Sequence, residues 1–522
     1  MATHNKFYPV DTNVVVPYSA TYDFPSQSNK AVKVTSRISP KNGATFLPGD
    51  TIQIEIPSQG YINPLNSTLA FDVTLSGFST ASTNVVRFQN NIQSIFSRAR
   101  LQYGSTTIED IQNYNVIVRC LTEWTSTNQC GSMDSTSVSE GIGGCVVGAY
   151  GTGIGAATTV AGALVNARQA YIQGLDGTTT TGFNSVPNGA ETLNSQTNCP
   201  VRRYQVNLAF GLFLQDKYIP AKWMAGLVMY FSLASETSCI YAQVHGGSGT
   251  APTYSVSNVV FIPEVLEFDA SYDAVFLKGL RETGVPIPFS SWHTFTYNIG
   301  GQQNVNINIT EKSRIIKSAF AIQRRAPEQY FTDSHAALFT SSAGTLTSFQ
   351  WRVGMRMYPS SPVQCSKTIS SSVPNGGAEA LLELQKALNI VGDYRLSTNV
   401  NTLRWAMPYV VATFDGTNSI ALGESDYGGF TKLWGASTGI PTVQVVLKPA
   451  CGNVGSSCFA MAADFETSNG AETSGINGEE QSDITLIANY SATQASGYNM
   501  EVYTQYEALL ILRENSTIQL VV

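Results

Sequence analysis

The heptapeptide TIQIEIP (Thr51–Pro57) decides the fold. Ile52, Ile54 and Ile56 fall on one face and Gln53 and Glu55 on the other, the period-two pattern of a strand with one side buried and one in water. The pattern returns in NVNINIT (Asn304–Thr310), where Val305, Ile307 and Ile309 oppose asparagines. Working outward from these two, short alternating or apolar segments lie at residues 67–75, 97–104, 203–214, 225–233, 253–266, 287–299, 314–324, 347–357, 403–414, 441–448, 483–490 and 500–512. That density of strands predicts an all-β chain.

Three stretches carry helical spacing instead. Residues 108–122 place Ile111, Tyr114, Val118 and Leu121 on one face, with Thr107 and Asp110 as a capping-box pair. Residues 377–391 repeat that spacing with Leu381, Leu384, Leu388 and Val391 and end at Gly392. The third helix, 271–283, starts at Ser271, stops at Gly284 before Pro286, and reads as a connector between two domains.

The elements recur in the same order in both halves of the chain. The strand at Ile52 matches the one at Val305, an offset of 253 residues, and STLAFDVTL at 67 faces RIIKSAFAI at 314, an offset of 247. A hairpin follows each, RARLQYGSTTIED and RVGMRMYPSSPVQC, with Tyr103 set against Tyr358 at an offset of 255. One duplicated sandwich of eight antiparallel strands accounts for this order, and a jelly roll is one of the few ways a sandwich protects its edges. The expected domains are an arm at 1–30, a first jelly roll at 31–268, a connecting helix at 269–285 and a second jelly roll at 286–522. Two long Gly-, Ser-, Thr- and Asn-rich loops, about 125–200 and about 415–482, fall outside the strand count, and loops of this length usually carry function or are disordered.

Composition excludes several function classes. The 30 Lys and Arg against 37 Asp and Glu give a net charge of −7, with no basic cluster beyond the pairs Arg202-Arg203 and Arg324-Arg325. Tight binding to a phosphate backbone needs clustered positive charge, so no direct nucleic-acid partner is expected. Charged residues make up 13% of the chain, about half the usual share, which suits a surface packed against neighbours. No segment approaches the roughly 20 apolar residues that cross a bilayer. The first 30 residues hold no continuous apolar run, so the chain is expected to be made and kept inside a cell.

No candidate site for chemistry emerges. CVVGAYGTGIGAATTVAGALV (Cys145–Val165) fits a dinucleotide-binding loop at Gly151, Gly153 and Ala156, with Asp176 further on. It lies inside a long loop without flanking parallel strands, and Thr158, Thr159, Val160 and Gly162 make a poor helix opening, so a surface loop is the expected reading. GESDY (Gly423–Tyr427) lacks the closing glycine of a nucleophile elbow. The four histidines (4, 245, 293, 335) are scattered, and the eight cysteines (120, 130, 145, 199, 239, 365, 451, 458) have no C-x-x-C spacing. Sequons at Asn66, Asn308, Asn489 and Asn515 fall largely in or beside strands, and the tryptophans at 124, 223, 292, 351, 405 and 434 suit a core as well as a sugar groove. Catalytic, cofactor-binding and metal residues are therefore expected to be none, and no enzyme activity is expected.

The segments PGDTIQIEIPSQGYINPLNSTLAFDVTL (Pro48–Leu75) and RFQNNIQSIFSRARLQYGSTTIEDIQNYNVIVRCLTEWTS (Arg87–Ser126) resemble the double jelly-roll major capsid proteins of tailless icosahedral double-stranded DNA viruses, of the virophage and polinton-like type. The close likeness covers about residues 30–126; beyond that it is one of architecture and length. It implies a structural coat protein whose two jelly rolls stand side by side, three copies forming a pseudo-hexameric trimer that tiles an icosahedral shell. It further implies neighbouring capsomers, penton and minor capsid or cement proteins as partners, an internal membrane in viruses that have one, location in the virion, the long loops as outward towers and residues 1–30 as an inner arm. The alternatives are a carbohydrate-binding or adhesion β-sandwich protein, which would need export, and a β-sandwich carbohydrate-active enzyme, for which no acid pair stands out.

Overall fold

A computed structural model describes residues 31–76, 85–88, 92–125, 202–243, 253–325, 346–365, 378–389, 410–413, 444–447, 459–466, 474–480, 483–494, 496–514 and 517–522. In the first half, one sheet has the order β1 (Ala31–Thr35), β11 (Thr253–Phe268), β4 (Tyr61–Ser76), β8 (Arg202–Asn207), with β2 (Thr45–Phe46) also on β11. The facing sheet has the order β3 (Thr51–Ile56), β9 (Leu227–Leu233), β6 (Phe96–Tyr103), β7 (Thr106–Gln112), and β5 (Val85–Phe88) pairs separately with β10 (Ile240–Gln243). All of these pairings are antiparallel.

The second half repeats both orders strand for strand. One sheet runs β12 (Val285–Asn298), β21 (Tyr498–Arg513), β14 (Ile315–Arg325), β19 (Met461–Asp464), with β22 (Thr517–Val521) on β21. The other runs β13 (Asn304–Ile309), β20 (Ile484–Tyr490), β15 (Leu346–Val353), β16 (Arg356–Gln364). β17 (Val410–Thr413) and β18 (Gln444–Leu447) form a pair of their own.

Alternation does the work that the opening heptapeptide promised. β3 buries Ile52, Ile54 and Ile56, β9 buries every second residue, and β13 repeats the pattern with Val305, Ile307 and Ile309. The two sheets of the first sandwich meet through Phe71 of β4 and Phe96 of β6, edge to face at 5.5 Å. One continuous apolar core runs through both sandwiches.

Helix α1 occupies Tyr114–Thr125, not 108–122. Thr107, Asp110 and Ile111 belong to β7, because the hairpin ladder with β6 continues to Gln112 and Asn113 then takes a left-handed turn, φ 51°. Asparagine tolerates that conformation, and the carbonyl of Asn113 accepts the first bonds of the helix, from Val116 and Ile117. Helix α2 (Ala270–Glu282) begins one residue before the stretch predicted at 271–283, with Asp269 as its cap, and closes at Gly284, φ 76°. Helix α3 (Ala378–Ala387) lies within the stretch predicted at 377–391.

Three further readings change. Residues 347–357 span a hairpin turn between β15 and β16 rather than one strand. The expected loop at 415–482 contains β19, a sheet strand; its residues Met461, Ala462 and Ala463 are all buried, so no alternation marked it. The hairpin tips align at Gly104 and Gly354, φ 54° and 56°, so Tyr103 precedes its turn while Tyr358 follows its own and the two are not equivalent. The arm at 1–30 and the loop at 126–200 lie outside the described residues.

Candidate functional site: the junction between the sandwiches

The first and second sandwiches are joined where β7 meets β12. Glu109, on β7, is 1% exposed. Its Oε2 accepts from Gly211 N–H at 2.7 Å and from the Ser291 hydroxyl of β12 at 2.8 Å, while Oε1 accepts from Leu212 N–H at 2.8 Å. One carboxylate therefore ties together the hairpin, the turn after β8 and the first strand of the other half. Three residues further along each strand, the Thr294 hydroxyl donates to the Gln112 carbonyl at 2.9 Å.

Close approach makes this geometry possible. At Gly211 an added Cβ would sit 1.8 Å from the Ser290 carbonyl oxygen, so only glycine lets the turn lie against β12. Apolar packing continues the contact, since Trp124 of α1 meets Phe320 of β14 edge to face at 5.0 Å, and Trp292 meets the same ring at 5.2 Å. Tyr114 anchors α1 to the same turn: its hydroxyl accepts from Ala209 N–H at 2.9 Å and donates to Gln93 at 3.0 Å.

The electrostatics of the junction are unusual for a protein with few charges. Burial pushes the Glu109 carboxyl up to about 7, against the opposing pull of its bonds from Leu212, Ser291 and Gly211. Two residues along β12 from Ser291, His293 presents Nδ1 to Glu311 at 3.0 Å and stacks on Tyr506 at 4.1 Å. Burial alone would raise Glu311, but the bond and charge of His293 and the hydroxyls of Thr504 and Ser313 bring it down to about 2. Deeper in, Arg324 and Glu501 form a buried pair at 2.6 Å, and the Tyr503 hydroxyl donates to the same carboxylate at 2.5 Å.

These groups form a fastening rather than a reaction centre. The Ser291 hydroxyl is committed to a carboxylate, and the histidine to an acid that already holds two hydroxyls and two backbone N–H groups. Among the described residues no cluster of three His, Cys, Asp or Glu could hold a metal ion, and no helix is long and apolar enough to cross a membrane. Cys120, Cys239 and Cys365 are buried thiols, none of them in a disulfide. The Gly-rich stretch at 145–165, GESDY, the other three histidines and the remaining cysteines lie outside the described residues. Sequence reasoning missed Glu109 altogether, having placed it in a helix.

No protein-family model matches this sequence, and no curated protein matches it. Its described architecture nevertheless superposes on a chain of the Sputnik virophage, solved by cryo-EM, over 99% of this chain and 94% of that one, with 11% identity and a TM-score of 0.53. The fold is a double jelly roll. VP54 of PBCV-1, fitted into a reconstruction of the same virophage, matches over 96% of this chain and 99% of its own, at 10% identity and a TM-score of 0.50. The mavirus major capsid protein matches over 99% of this chain and 96% of its own, at 9% identity and a TM-score of 0.47.

Proposed function

We propose that this double jelly roll is the major coat protein of an icosahedral virion, acting as a trimer of six sandwiches that tiles the shell. The observation that carries the reading is the whole-length superposition on a chain of the Sputnik virophage, to which the sequence resemblance of residues 30–126 adds support from the residues themselves. Two sandwiches locked at a fixed angle by β7 and β12 behave as one rigid unit with two similar lobes, and three such units imitate a hexagon. Closed threefold symmetry needs only one heterologous contact, repeated around the axis. On this reading the partners are neighbouring capsomers and the vertex and cement proteins of the shell, and the chain performs no catalytic step. A net charge of −7 fits a shell that does not itself condense the genome.

The test is the solution mass of the purified protein by light scattering. With a chain of 56.2 kDa, a closed trimer gives about 169 kDa that persists on dilution, and negative-stain images show a hexagonal outline. A folded monomer at milligram concentrations would overturn the reading and direct the work to a glycan-binding screen.

A further inference from the structure

The outer edge of β3 is covered by the chain itself. Lys41 N–H donates to the Gln53 carbonyl at 2.9 Å. The carboxamide of Asn42 takes the rest of that rung: its Oδ1 accepts from Gln53 N–H at 3.0 Å, and its Nδ2 donates to the Thr51 carbonyl at 2.6 Å. A bare edge strand offers unpaired N–H and C=O groups to any other chain. Asn42 is thus a latch on one sheet of the first sandwich.

The second sandwich shows that the fold stands without such a latch. Gln53 pairs with Tyr230 and Tyr230 with Arg100, four residues before the tip glycine Gly104. Asn306 pairs with Ile487 and Ile487 with Gln350, four before Gly354. Asn306 is therefore the counterpart of Gln53. Among the described residues no segment covers its rung, because β12 runs on to Asn298 and turns directly into β13. Releasing the latch on β3 alters an edge and leaves the sandwich standing.

Asn42 is followed by Gly43, and a glycine in that place leaves the backbone amide uncrowded and free to approach the carboxamide before it. Both residues are exposed, and among the described residues no hydrogen bond holds Gly43 N–H. The other described Asn-Gly pair is the opposite case. Gly478 N–H is committed to the Ser313 carbonyl at 2.9 Å, and Asn477 Oδ1 accepts from Glu479 N–H at 2.9 Å. An added Cβ on Gly478 would lie 2.7 Å from that same Ser313 oxygen, so this amide is both tied and packed in. Asn188, Asn375 and Asn469 also precede glycine and lie outside the described residues.

We propose that Asn42 is a self-modifying latch, converted by its own backbone to aspartate or isoaspartate and so releasing the edge of β3. The Gly43 nitrogen bonds to Asn42 Cγ as the Cγ–Nδ2 bond breaks, and the side-chain nitrogen leaves as ammonia with the Gly43 amide proton. Water then opens the resulting succinimide at Cγ to give aspartate, or at the main-chain carbonyl carbon to give isoaspartate. Either product lacks the donor that held the Thr51 carbonyl and sets acceptor against acceptor. Isoaspartate also inserts a methylene into the backbone beside Lys41. The edge of β3 then becomes as open as that of β13, whatever assembly the chain enters.

The experiment holds the full-length folded protein at mildly alkaline pH, digests samples over time and separates the amide, aspartate and isoaspartate forms of the peptides carrying residues 42 and 477 by mass spectrometry. The chain unfolded in urea is the reference. Folded, residue 42 is expected to convert and residue 477 to stay amide; in urea both convert. Gly43→Ala, whose Cβ would sit 3.2 Å from the Phe46 ring, is expected to slow conversion at 42 several-fold. Hydrogen exchange at Gln53 N–H is expected to quicken about fivefold in aged protein and in Asn42→Asp, as the loss of one neutral hydrogen bond gives, with Asn306 N–H unchanged. Residue 42 staying amide in the folded protein as long as residue 477 overturns the proposal, and so does an unaltered Gln53 exchange rate in Asn42→Asp.

Discussion

Replacing Glu109 by glutamine tests the junction with the smallest available change of shape. Burial holds this carboxyl at about 7 against an ordinary 4.5, the bonds from Leu212, Ser291 and Gly211 only partly offsetting the loss of water. A folded-state pKa above the unfolded one means that the folded chain keeps its proton longer. Stability from this group is therefore complete below about pH 4.5 and is lost as pH rises to about 7 and beyond. At about 1.4 kcal/mol per pH unit the loss is about 3 kcal/mol. The amide carries no charge, but its NH2 must face one donor. Gly211 N–H and Ser291 share Oε2 while Leu212 N–H alone meets Oε1, so the amide is expected to turn toward Leu212 and forfeit that bond, at about 1–3 kcal/mol. Glu109→Gln should then be the less stable protein near about pH 5, and the deficit should close or reverse by about pH 8, a swing of about 3 kcal/mol. Thermal midpoints at one fixed protein concentration across that range measure the swing, with Glu311 present in both proteins and cancelling in the difference. Parallel pH curves for the two proteins would refute the argument that a charge is buried at this junction.

Glu311 carries the opposite sign. Its folded-state pKa of about 2 lies below the ordinary 4.5, so its contribution is present above about pH 4.5 and disappears as pH falls toward 2. Glu311→Gln should cost about 3 kcal/mol at neutral pH and flatten the acid limb of the stability curve; an unchanged acid-unfolding midpoint would contradict this. Gly211→Ala drives a methyl group into the Ser290 carbonyl and should cost at least about 3 kcal/mol, with the turn forced away from β12. A melting temperature within a degree of wild type would show that the turn moves freely.

The all-β class and the repeat were legible because β3 and β13 bury every second residue, a pattern that one face in water and one in a core writes directly into the sequence. α1 was misplaced for an equally physical reason. Ile111, Tyr114 and Val118 have helical spacing, yet Glu109, Asp110 and Ile111 are held by the ladder to β6, and tertiary pairing overrides local periodicity. β1 left no signal because all five of its residues are exposed, and β19 none because its first three are buried. The junction was illegible at its most important residue. An acid in TTIEDIQ reads as a solvated face, and nothing local says that Gly211, about a hundred residues later, will bring two backbone N–H groups to it.

The internal junction tolerates a buried carboxylate because of how it forms. The internal junction closes once, during folding, with its two halves tethered by the short helix α2, so the local concentration of one sandwich about the other is high before any bond is made. Such a junction can hold a buried carboxylate, whose net contribution is small because desolvation offsets most of its hydrogen bonding, while the bonds fix the relative orientation of the two lobes. Between about pH 4.5 and about 7, titration of Glu109 acts on this link inside each chain, so the pH dependence of unfolding should move through this range.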